Sequence, residues 1–175
     1  MKLIFISLFI LWPSSVWGNS PNIRTPAPLI YLNDNLDERD KLGWCIDTIG
    51  RGFADRLHAH SCKPHGGDVQ FLYREVTLQI ISATFNDKCA EIIGPTLKGA
   101  RLGLIKCSIN SLRQKFHFKK ETSEFRPKNN DTFCLVVSKN SRSAGPFMAR
   151  SLYLAPCNTT DPKYRKWSIK EEKNE

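Results

Sequence analysis

Residues 43–62 read GWCIDTIGRGFADRLHAHSC, which sets Cys45 and Cys62 17 residues apart. Shortly after the second cysteine stands an aromatic block, Phe71-Leu72-Tyr73-Arg74. The same order of marks recurs twice more. Cys89 and Cys107 precede Phe116-His117-Phe118-Lys119, and Cys134 and Cys157 precede Trp167-Ser168-Ile169-Lys170. The first cysteines lie 44 and 45 residues apart, the second cysteines 45 and 50, and the aromatic blocks 45 and 51. A period of this size is the signature of a repeat architecture. The third unit carries the extra length, placed at residues 138–146 (SKNSRSAGP), a turn-like or loop-like composition.

Within each unit the pattern is that of strands. Residues 76–80 (VTLQI) alternate, as do residues 102–106 (LGLIK), and residues 133–137 (FCLVV) form a short apolar β-branched run. Between them sit good turn formers: Gly66-Gly67, Asn86-Asp87 and Asn129-Asn130-Asp131. Few stretches show a convincing helical period beyond one turn. Many short strands in one small domain call for a closed barrel or a sandwich, because closure removes exposed edges. Three units are fewer than the four blades a propeller needs. The expectation is an all-β, pseudo-threefold barrel.

The flanks place this barrel in a chain of 175 residues, room for a single domain. Residues 1–18 have the layout of a secretory signal peptide: Lys2, a ten-residue apolar stretch, then short residues at a cleavage point. Their removal takes away one lysine and no acid, so the formal charge falls from +9 to +8. Residues 19–28 (NSPNIRTPAP) read as a Pro-rich linker, since three prolines in ten residues disfavour helix and ladder alike. The domain is expected over residues 29–170, followed by a charged tail at 171–175. No run approaches the roughly 18 apolar residues of a membrane-spanning helix, so the mature chain is expected not to be an integral membrane protein. Six cysteines, an even count, point to an oxidising destination, extracellular or periplasmic.

In this register the sequence resembles the ricin-type β-trefoil lectins. The carriers are Gly43-Trp44-Cys45-Ile46-Asp47 with Gly50, then residues 57–62 (LHAHSC), then residues 68–71 (DVQF). The second unit repeats them at residues 88–91 (KCAE) with Gly94, 102–107 and 113–116; the third at 133–136, 152–157 and 164–167. Of the family's Q-x-W element, Gln114 keeps the Gln and Trp167 the Trp. The resemblance covers residues 29–170 and implies a β-trefoil of three pseudo-repeats of about 45 residues. Six cysteines allow fifteen pairings. The threefold repeat favours Cys45–Cys62, Cys89–Cys107 and Cys134–Cys157, one disulfide inside each unit. A rival reading makes His58, His60, Cys62 and His65 zinc ligands. Because Cys62 has a disulfide partner in an oxidising compartment, no metal and no cofactor is expected.

The resemblance also implies a sugar site in the first unit. There the aspartate two residues after the first cysteine accepts hydrogen bonds from sugar hydroxyls, an aromatic before the second cysteine stacks, and an Asn before the aromatic block adds hydrogen bonds. Those positions hold Asp47, His60 and Asp68, with Phe53 as a substitute stacking ring and Gly50 in the adjoining turn. A structural role competes for Asp47, which could cap the turn that follows it. In the second unit Glu91 and Arg113 occupy the corresponding places and form a weaker candidate site, with a simple ion pair as the competing reading; in the third, Val136 and Ala155 leave no site. Two basic clusters suit sulfated or sialylated glycans, or an anionic membrane surface: Lys115, Lys119, Lys120, Arg126 and Lys128, and then Lys163, Arg165, Lys166 and Lys170. The signal peptide and the lack of a stacking platform argue against nucleic acid. Asn130 and Asn158 head glycosylation sequons. No P-loop, nucleophile elbow or HExxH motif is present. The expectation is a secreted, non-catalytic carbohydrate-binding protein. The alternative is a protein-interaction module, such as a cell-binding subunit resembling those of cytolethal distending toxins, or a trefoil inhibitor with a secreted protein partner.

Overall fold

The structure, a computed structural model, describes residues 19–50 and 55–172. Thirteen strands and two short 3-10 turns follow one another, with no α-helix among the described residues. Each unit contributes a set of four. The first holds β1 (Leu29–Leu32), β2 (Trp44–Thr48), β3 (Leu57–Ser61) and β4 (Phe71–Arg74). The second holds β5 (Gln79–Ser82), β6 (Lys88–Ile92), β7 (Leu102–Lys106) and β8 (Phe116–Lys119). The third holds β9 (Glu124–Pro127), β10 (Phe133–Val137), β12 (Phe147–Pro156) and β13 (Trp167–Lys170), with β11 (Arg142–Ala144) as an addition.

The last strand of each unit pairs antiparallel with the first strand of the next: β4 with β5, β8 with β9, and β13 back with β1. That third pairing closes the barrel. The middle strands form hairpins, β2 with β3, β6 with β7, and β10 with β12. The fold is a β-trefoil with three repeats.

Equivalent positions fill the core. Ile30, Ile80 and Phe125 occupy the second place of each first strand, and Phe71, Phe116 and Trp167 open each fourth strand; all six are fully buried. Burying each such side chain contributes on the order of 1.5–3 kcal/mol. The indole of Trp167 donates to the Leu135 carbonyl at 2.9 Å, so its one polar atom is satisfied. Disulfides join Cys45 to Cys62, Cys89 to Cys107 and Cys134 to Cys157, as the repeat predicts.

Three local expectations need correction. Residues 76–78, read as part of a strand, lie in a turn, and Val76 is 95% exposed. The 138–146 insertion is not all loop: β11 pairs with the start of β12 as a ribbon. The stretch 19–28 forms no strand, yet it lies against the barrel. Thr25 is fully buried, Asn22 N–H donates to the Lys41 carbonyl, and the Lys170 ammonium donates to the Thr25 carbonyl at 2.7 Å.

Candidate functional site

Alternation along the β2–β3 hairpin builds the first-unit site. Trp44, Ile46 and Ala59 face the core, so Cys45, Asp47, His58 and His60 share the opposite face. In register, Asp47 stands opposite His58 and Cys45 opposite His60. On the far side of β3, Ala149 and Ser151 of β12 pair with His60 and His58. The third unit therefore forms one wall of the first unit's site.

Asp47 is 1% exposed. Its Oδ1 accepts from the Thr48 N–H at 2.6 Å, and its Oδ2 accepts from the Lys63 ammonium at 2.9 Å. The same ammonium reaches Asp68 Oδ1 at 2.5 Å. Lys63 thus bridges the two carboxylates singled out from sequence. His58 Nε2 and His60 Nδ1 each stand 3.7 Å from Asp47 Oδ2, beyond hydrogen-bond reach. His60 Nδ1 donates to the Ser61 carbonyl at 3.0 Å, which makes Nε2 the acceptor of the neutral ring.

The electrostatics agree with this geometry. Burial alone would raise the Asp47 carboxyl, but the His58 ring and the Lys63 ammonium together hold it below its ordinary 3.8. For Lys63, burial works downward and is outweighed by Asp68 and Asp47, which hold the ammonium above 10.5. Burial pushes His60 below 6.5 and keeps it neutral.

His60, Lys63 and Asp68 line a cleft of about 640 Å³ together with Phe85 and Phe147. The rings of His60 and Phe147 meet edge to face, with centroids 5.5 Å apart. The cleft offers an ammonium, a carboxylate, an imidazole ring and two phenyl rings. That combination can take the hydroxyls and the C–H face of a saccharide. Asp47 lies behind Lys63 and does not line the cleft; it anchors the cation. Gly50 sits in the turn after β2 with φ 66° and is also absent from the lining. Phe53 falls outside the described residues.

Lys63, Phe85 and Phe147 escaped the sequence reading. Lys63 directly follows Cys62, a place the resembled motif does not mark. The two phenylalanines come from the second and third units, and no local spacing ties them to Asp47. In the second unit, Arg113 pairs with Glu91 at 3.0 Å and Gln114 donates to the same carboxylate at 2.8 Å. In the third, Val136 is fully buried and Ala155 nearly so. The zinc alternative loses its thiolate, because the Cys62 sulfur is bonded to Cys45.

Among solved structures, the β-trefoil lectin of the Vibrio vulnificus hemolysin/cytolysin, with N-acetyl-D-lactosamine bound, is 14% identical with a TM-score of 0.55. That match covers 85% of this chain and 96% of the lectin. The cytolethal distending toxin of Actinobacillus actinomycetemcomitans is 14% identical with a TM-score of 0.56, over 86% of this chain and 95% of the other. A structure of GalNAc-T7 with UDP, GalNAc and Mn2+ is 19% identical with a TM-score of 0.53. There the match covers 73% of this chain but only 20% of the other, so this chain spans about a fifth of that protein. No protein-family model and no curated protein sequence matches the chain. The fold is the β-trefoil shared with ricin-type lectins and with the lectin domains of toxins.

Proposed function

We propose that the protein is a secreted, non-catalytic carbohydrate-binding β-trefoil, with its sugar site in the first-unit cleft. Residues 1–18 act as the signal peptide, and the three disulfides suit the compartment it leads to. One observation carries the reading: Lys63, Asp68 and His60 converge beside Phe147 and Phe85 in a single open cleft. Asp68 accepts from sugar hydroxyls, Lys63 donates to them, and Phe147 covers the apolar ring face. The β-trefoil lectin of the Vibrio vulnificus hemolysin/cytolysin, with N-acetyl-D-lactosamine bound, supports a glycan as partner.

A glycan array with the mature chain tests this directly. Asp68→Ala and Phe147→Ala should each weaken binding of the best glycan about tenfold or more per folded molecule, with the folded fraction of each variant measured on the same sample. An empty array, or full affinity in both variants, refutes the proposed site. A second reading has its own observation: the match spans 95% of a cytolethal distending toxin chain. In that reading the protein is a binding subunit, and a second secreted chain should co-purify with it at fixed stoichiometry.

A further inference from the structure

The pseudo-threefold axis carries a second cleft, independent of the first-unit site. Leu57, Leu102 and Leu152 each lie five residues before the second cysteine of their unit, and all three line one cavity of about 390 Å³. Three equivalent residues can share a cavity only where the three units meet. The leucines are buried and form an apolar floor.

Above that floor stand three guanidinium groups. Arg56 and Arg101 directly precede Leu57 and Leu102, at matching positions of their units. The third matching position is Ser151, and there Arg142 of the inserted β11 supplies the cation instead. All three arginines are exposed. Among the described residues, none forms an ion pair with a carboxylate and no acid lines the cavity. The nearby Asp55 pairs with Lys88, and residues 51–54 contain no carboxylate. Arg142 donates to His58 Nδ1 at 3.3 Å, which fixes its direction.

Four members of the basic clusters visible in sequence are already paired with carboxylates. Arg126 and Arg165 both bind Glu124, Lys120 pairs with Glu75 at 3.2 Å, and Lys163 with Asp161 at 3.7 Å. Three uncompensated like charges around one cavity repel one another, and an oxyanion relieves that repulsion. The planar fork of guanidinium matches the oxygens of a tetrahedral oxyanion.

We infer that this axial cleft binds the sulfate ester of a glycan, with Arg56, Arg101 and Arg142 around the sulfate and the leucine floor beneath the sugar ring. A phosphate ester has the same tetrahedral oxygens, so the experiment must separate the two. Glucose 6-sulfate, glucose 6-phosphate and glucose are titrated calorimetrically into the mature chain at low salt. Glucose 6-sulfate should bind, and glucose should not. Arg101→Gln and Arg142→Gln should each weaken the sulfate ester about tenfold, with melting temperatures unchanged because both side chains are exposed. Asp68→Ala and Lys119→Ala should leave it untouched, which separates this site from the first-unit cleft and from the sequence-visible cluster. Tighter binding of the phosphate ester overturns the sulfate assignment. Unaltered affinity in both arginine variants, or no binding of either ester, overturns the site.

Discussion

The Lys63 ammonium lies within hydrogen-bond distance of both Asp47 and Asp68, and its side chain is 23% exposed. Removing it as Lys63→Ala leaves the Asp47 carboxylate buried without its cation. Breaking such a pair costs about 3 kcal/mol, and the double variant Lys63→Ala/Asp47→Ala should recover much of that loss. Urea unfolding of the two variants measures both numbers. The same cluster sets a pH profile. His60 is held below 6.5 when folded, so its contribution is present above 6.5 and fades as pH falls toward the folded value. Asp47, held below 3.8, adds a second loss at lower pH. Lys63, held above 10.5, contributes fully below 10.5 and loses its share as pH rises further. Stability of wild type relative to the double variant should therefore be flat across neutral pH and fall below 3.8 and above 10.5. The loss beginning at 6.5 should remain in both proteins, because burial of His60 is its main cause. At this scale the sequence marked Asp47, His60 and Asp68 but not the lysine that joins them. The motif records positions along one chain segment, whereas the cation and the phenyl walls are fixed by packing.

The aromatic blocks open β4, β8 and β13 because an aromatic must enter the barrel at each of those points. Their spacing made these strands legible. Residues 75–78 were not legible, since Glu75-Val76-Thr77-Leu78 contains no Gly, Pro, Asn or Asp to announce a turn. The turn is imposed from outside. Leu78 takes φ 59° and its carbonyl accepts from Phe116 N–H at 2.7 Å. Ser123, at the equivalent place in the third unit, takes φ 58° and accepts from Trp167 N–H at the same distance. Barrel closure thus overrides local propensity at both. If residues 76–80 were one half-buried strand, Val76 and Ile80 would share a face. In the turn arrangement Val76→Lys should change stability by no more than about 0.5 kcal/mol. Ile80→Ala, at a fully buried position, should cost about 2–5 kcal/mol. Denaturant midpoints of the two variants decide the matter.

Across the whole molecule, one position shows how three units of different sequence keep one fold. It joins the first residue of a unit to the residue two places before its aromatic block. In the first unit Leu29 and Val69 are both buried and belong to one apolar cluster. In the second, Gln79 donates to Gln114 at 3.1 Å, and Gln114 is fully buried. In the third, Glu124 and Arg165 form an ion pair, with Glu124 1% exposed. Apolar contact, amide pair and salt bridge fill equivalent spaces. A buried ion pair contributes little net stability, whereas a buried charge without its partner is costly. Arg165→Val alone should therefore destabilise by about 2 kcal/mol, limited because Arg126 still donates to Glu124 at 2.6 Å. Adding Glu124→Leu installs the first unit's solution in the third. Arg126 is 25% exposed and can turn to water, so the double variant should return to within about 1 kcal/mol of wild type. Thermal and urea unfolding of the single and double variants test the equivalence of the units directly. A double variant less stable than Arg165→Val would mean that the third unit needs its charges, and that the threefold relation ends at the backbone.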